Sequence, residues 1–178
     1  AMTNFHPDLD LITEYAAGCL PLAQSACVSL HVTHCRRCQR IAGELNNLGA
    51  SLFEALEPVP VGDTQLHAVL ARLDEEMPLA YANKKGNASD TPAILQRLMR
   101  GDFSDLSWKN IGSTLRISYL KSGDPQHEFA LYHIRAGGRI PEHTHRGSEM
   151  TLILEGGFSD TNGSYHKGDF LLRQPGDV

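Results

Sequence analysis

The stretch His31-Val-Thr-His-Cys35-Arg-Arg-Cys38 constrains this chain more than any other. His31, Cys35 and Cys38 stand at i, i+4 and i+7. At ~100° per residue they share an arc of roughly 60° on one helix face. Neutral imidazole and thiolate are the donors Zn²⁺ prefers, and a closed structural site takes four of them. The fourth donor is expected from another element. His6 is the best candidate, because the Pro7 and Asp8 that follow it read as the start of a helix. Cys27, one turn before His31, and His34 are reserve ligands by the same spacing. Other chemistries fit less well. A c-type haem needs His directly after Cys-x-x-Cys, and Gln39 stands there. A thioredoxin-like pair would follow a strand, and no strand pattern precedes this one. The remaining reading, two surface thiols and a stray histidine, explains neither the donor types nor their spacing.

The 178 residues suggest one or two domains. No run approaches the ~18 apolar residues of a membrane span, and no signal-peptide pattern is present, so a cytoplasmic protein is expected. Four cysteines, two of them in the motif, do not make a disulfide framework. The net charge is −5, and Lys and Arg cluster only at Arg36-Arg37 and Lys84-Lys85. Direct nucleic-acid binding is therefore not expected, since phosphate contacts need concentrated positive charge.

The first part of the chain reads as helical. Leu11, Ile12, Tyr15, Ala16 and Cys19 have helical spacing over residues 8–19, with Asp8 as N-cap and Gly18 and Pro21 at the end. Cys19 is expected in the core. A second helix over 22–38 carries the ligands, and Ile41, Leu45, Leu48, Leu52 and Leu56 continue a stripe to Pro58. Pro58-Val-Pro60 breaks it. A separate amphipathic helix follows at 64–77, capped by Asp63 or Thr64, with Leu66, Val69, Leu70, Leu73 and Met77 along one face. This stripe must be covered, either by its own domain or by a partner groove.

The character changes near residue 80. Residues 83–90 are polar and read as a linker. A short helix at 92–100 precedes alternating, strand-like text at 115–119, 129–133 and 150–154, punctuated by glycine turns at close intervals. Short strands so spaced mean a β-sandwich or barrel. Between two of them lies His143-Thr-His145-Arg-Gly-Ser-Glu149. Residues two apart on an extended segment project to one side, so His143 and His145 can reach a common ion, with Glu149 entering from the next strand. That donor set suits Zn²⁺, Fe²⁺ or Mn²⁺.

Gly137, His143, His145, Glu149 and Gly156 resemble the first cupin motif, and Gly168-Asp-Phe-Leu-Leu-Arg-Gln-Pro175 resembles the start of the second. The histidine that usually completes the cupin ligand set would fall beyond Val178, so a truncated or disordered C-terminus is expected. His6-Pro-Asp, Tyr15-Ala-Ala-Gly18 and His31-x-x-x-Cys35-x-x-Cys38 resemble the zinc-binding anti-sigma domain. The pair in this order resembles the ChrR-type anti-sigma factors, as do Trp108-Lys-Asn-Ile-Gly112 and Glu155-Gly-Gly-Phe-Ser-Asp160.

The resemblance implies an α+β two-domain protein. A helical zinc-binding anti-sigma domain at 1–80 and a linker at 81–91 lead into an all-β, jelly-roll-like cupin barrel at 92–178. It implies a structural Zn²⁺ on His6, His31, Cys35 and Cys38, and a second Zn²⁺ or other divalent ion on His143, His145 and Glu149. It implies sequestration of an ECF-type sigma factor and release under oxidative stress such as singlet oxygen; cupins often dimerise, which leaves open a homodimer through the cupin. Leu66, Val69, Leu70, Leu73 and Met77 would bind the partner. The competing expectation is a cupin metalloenzyme, a dioxygenase or isomerase with a helical accessory domain. The N-terminal zinc motif, which an enzyme would not need, favours regulation.

Overall fold

The computed structural model describes residues 3–73, 91–140 and 147–177. The helices are α1 Leu9–Ala16, α2 Leu22–His34, α3 Arg36–Glu54, α4 Asp63–Ala71 and α5 Ala93–Met99. The strands are β1 Lys109–Ile111, β2 Leu115–Tyr119, β3 Ala130–Ile134, β4 Glu149–Leu152, β5 Gly157–Asp160, β6 Gly163–His166 and β7 Phe170–Arg173.

Asp8 caps α1, its carboxylate accepting the Leu11 N–H at 2.8 Å. The helix closes in a Schellman turn. Gly18 adopts φ +70, its N–H donates to the Tyr15 carbonyl, and the Cys19 N–H reaches back to Glu14. Only glycine takes this left-handed position at no steric cost. Cys19 lies past the turn, off the face that buries Leu11 and Ile12, and is exposed rather than in the core.

The helix expected over 22–38 is two helices. Cys35 sits between α2 and α3 with extended φ −113 and ψ 106. Ligand geometry explains the break. On one continuous helix, seven residues separate His31 from Cys38 by ~10.5 Å along the axis. Their side-chain donors lie 3.3 Å apart, a distance reached by bending the backbone at Cys35.

The first half of α3 buries Cys38 and Ala42. Beyond it Leu48, Leu52, Phe53 and Leu56 are exposed. The cap of α4 is Gly62, not Asp63 or Thr64; the Gln65 Oε1 accepts the Gly62 N–H at 2.7 Å. No residue of α4 is buried. Met77 lies outside the described residues, as does the expected linker apart from Thr91.

Among the described residues the strand pairs are antiparallel. One sheet has the order β1-β2-β3, with Ile117 opposite Tyr132; β4 pairs with β7, Met150 opposite Leu172; β5 and β6 form a hairpin. The expected closed barrel is corrected to an open arrangement: among the described residues no ladder joins the three pieces. Strands of three to five residues offer few ladder bonds, and side-chain packing joins the pieces instead.

That packing also docks the helices on the β region. Leu30 of α2 clusters with Leu95 and Met99 of α5 and Leu131 of β3. Leu11 of α1 and Val28 of α2 cluster with Phe170 of β7. Each such buried side chain contributes roughly 1.5–3 kcal/mol.

Candidate metal centre

Four donors converge where α1, α2, α3 and the β6–β7 turn meet. His6 lies in the extended segment before α1. His31 occupies the last turn of α2 and is fully buried. Cys35 stands at the break, and Cys38 in the first turn of α3. All four donor atoms lie within 4.8 Å of one another. His6 Nδ1 is 3.4 Å from His31 Nε2, 3.4 Å from Cys35 Sγ and 3.6 Å from Cys38 Sγ. Metal–ligand bonds of ~2.0–2.3 Å place tetrahedral donors ~3.3–3.8 Å apart. The cluster therefore has the size and donor set of a tetrahedral zinc site.

The outer contacts fix the tautomer of His31. Its Nδ1 lies 2.8 Å from the Gly168 carbonyl, which can only accept. The ring proton is therefore on Nδ1, and Nε2 turns its lone pair toward the thiols. The segment carrying His6 is held by Asp169, whose Oδ1 accepts the N–H of Asn4 at 2.7 Å and of Phe5 at 3.3 Å. The Phe170 N–H donates to the Phe5 carbonyl at 3.1 Å, and the Phe5 ring packs on Tyr165.

Burial holds both imidazoles below their ordinary value, with the Arg37 charge adding to it at His6. The shift favours the neutral ring, the ligating form. Burial alone would push the Cys35 thiol up, but hydrogen bonds from Thr3 and around Cys38 and Arg37 outweigh it and bring it down. Cys38 is pushed up to about 12, by burial first and then by the charge of Cys35. Two thiolates at this spacing need a cation between them.

The reserve ligands stay out of the cluster. Cys27 packs with Leu11, Val28 and Phe170, and burial drives its thiol up to about 12. His34 is exposed and bonds Thr33. In the cupin motif, Glu149 opens β4, exposed, and accepts the Thr151 hydroxyl at 3.0 Å. His143 and His145 lie outside the described residues. Gly168, Asp169 and Phe170 escaped the sequence reading as parts of this centre. Their sequence signal is a Gly-Asp turn, and nothing local shows that it reaches residues more than 130 positions away.

Fold and site define a class of protein: a helical unit with a His-His-Cys-Cys centre, docked on a cupin-like β unit. Residues 96–178 match the family model of the ChrR cupin-like domain. The chain is 33% identical over 162 residues to the anti-sigma-E factor ChrR of Cereibacter sphaeroides, an alignment spanning 91% of this chain and 75% of that protein. It is also similar to a chain in the crystal structure of Rhodobacter sphaeroides SigE in complex with the anti-sigma ChrR, with a TM-score of 0.81 and 32% identity over 97% of this chain and 88% of that one. This chain belongs to the ChrR family of anti-sigma factors.

Proposed function

We propose that this chain is a zinc-dependent anti-sigma factor that sequesters an ECF-type sigma factor and so represses transcription. The observation that carries this is an uncovered apolar surface on the helical unit. Leu48, Leu52, Phe53 and Leu56 on and after α3, Val59 and Val61 in the connection, and Leu66, Val69, Leu70 and Leu73 on and after α4 are all exposed. Val69 and Leu73 are 62% and 71% exposed. So much apolar surface within one stretch marks a protein-binding face, and helix-in-groove docking suits it. The chain's own α1 to α3 do not bury α4. Met77 extends the same sequence stripe. The solved relative is in complex with SigE. Residues 1–85 hold 6 Lys and Arg against 10 Asp and Glu, a balance suited to a basic, DNA-facing partner surface. As the relatives are named regulators, the chain acts by binding and not as a cupin metalloenzyme.

His6, His31, Cys35 and Cys38 hold one structural Zn²⁺. When bound, it supplies a cross-link between the N-terminal segment and the α2–α3 bend, and that bend aims the exposed end of α3. His143, His145 and Glu149 hold a second divalent ion in the cupin-like half, which serves release under oxidative stress such as singlet oxygen. The helical unit ends near residue 80, the cupin unit begins near 92, and the cupin supports a homodimer. A sigma factor partner puts the protein in the cytoplasm.

The test is capture by the full chain of an ECF sigma factor encoded beside it. The full chain is used because the two halves share core residues. Failure to bind any such factor overturns the proposal. If Leu70→Asp and Leu73→Asp variants bind as well as the parent, the contact is not α4.

A further inference from the structure

We propose that the β6–β7 turn, Gly168-Asp169-Phe170, is the outer shell of the His6/His31/Cys35/Cys38 centre and sets its metal affinity, so that occupancy of the centre and seating of the cupin-like half are coupled; this rests on the zinc reading above. The turn aims two of the four donors. The Gly168 carbonyl takes the Nδ1–H of His31 at 2.8 Å, which fixes the ring's rotation and raises its basicity as a ligand. Asp169 and Phe170 together hold the backbone on the N-terminal side of His6, through three hydrogen bonds to Asn4 and Phe5.

The turn is built for this contact. Asp169 is only 1% exposed, and its second oxygen accepts the His166 N–H at 2.8 Å. One carboxylate thus ties the start of the chain to the β6–β7 turn. Gly168 has φ +92, a position a side chain rarely adopts, and a Cβ there would lie 2.6 Å from the Thr3 Cγ2, so a substitution would be strained and would displace the Thr3 side chain. At the end of the turn, Phe170 opens β7 and pairs with Leu152 of β4. Movement of the cupin strands is therefore transmitted to a carbonyl and a carboxylate that position zinc ligands. By linkage, the metal must hold the turn as firmly as the turn holds the metal.

The test uses the full zinc-loaded chain. Zn²⁺ affinity is measured by competition with a chromophoric chelator for the parent, Asp169→Asn and Asp124→Asn. Asp124 is a control carboxylate of the same half, bonded to His127 between β2 and β3. Asp169→Asn is expected to weaken Zn²⁺ roughly 10–100-fold, the usual cost of losing an outer-shell partner, and to alter the absorption spectrum of the Co²⁺-substituted site. Asp124→Asn is expected to leave both unchanged. Unchanged affinity in Asp169→Asn overturns the inference. Equal zinc content in the parent and Cys38→Ser would instead overturn the zinc reading itself. If Asp169→Asn does not fold, amide exchange of the parent decides. Zinc removal should speed exchange at His166 and Phe170 more than at Gly163 in the β5–β6 hairpin; equal effects at all three overturn the inference.

Discussion

His31 gives one ring nitrogen to the thiols and the other to a backbone carbonyl from the far half of the chain. Its burial leaves no room for water to replace either contact. Cys38 is as buried, and its thiol is the costlier of the two to ionise without a metal. Cys38→Ser should lose bound zinc and lower stability by more than ~4 kcal/mol, the range seen when a structural metal is lost; zinc analysis and a thermal melt check both. Asp169 makes the pH prediction. Burial would raise its carboxyl, but the N–H groups of His166, Asn4 and Phe5 outweigh that and hold it below the usual carboxylate range. Its contribution is therefore present above the unfolded value near ~3.9 and is lost as pH falls through the lower folded value. Asp169→Asn should cost ~1.5–3 kcal/mol at neutral pH, and the gap to the parent should close in acid. Unfolding curves at pH 7 and pH 3 measure it.

At the scale of elements, the break at Cys35 turns what could be one long amphipathic rod into a corner that gathers four metal-type donors. The corner leaves α3 free to point its apolar end, Leu48 to Phe53, away from the core. Exposed positions tolerate charge, so Leu52→Asp and Leu70→Asp should change stability by no more than ~0.5 kcal/mol while lowering sigma-factor binding by tenfold or more, as loss of a hot-spot side chain does. Denaturant unfolding and a binding titration separate the two effects. The Schellman turn is the contrary case. Gly18→Ala forces a Cβ into the left-handed region and should cost ~1 kcal/mol, read as a lower denaturation midpoint with sigma binding retained.

At the scale of the whole molecule, the helical and β-rich halves interlock through two apolar clusters and the β6–β7 turn. Leu30 shows the consequence. It belongs to a helix of the N-terminal unit, yet its packing neighbours are Leu95, Met99 and Leu131. Leu30→Ala should therefore cost ~2–5 kcal/mol, and near-UV and far-UV signals should melt together. Two separate transitions, only one of them shifted, would show that the halves fold independently.

Residue order alone determined the local features, because their interactions span only a few positions. The ligand types at His31, Cys35 and Cys38, the Asp8 cap, the Gly18 stop and the period-two text of β2, β3 and β4 were all legible for that reason. So was the convergence of His6, through donor chemistry that demanded a fourth ligand. The tertiary structure decided the rest. The α2–α3 break follows from the ~10.5 Å that a straight helix would put between His31 and Cys38. The exposure of α4 depends on which faces the other helices had left to cover. The Gly168 and Asp169 contacts join residues 137 and 165 positions apart. No propensity or periodicity records such pairs; they exist because Leu11, Val28 and Phe170 bury one another and bring the β6–β7 turn against the four-donor corner.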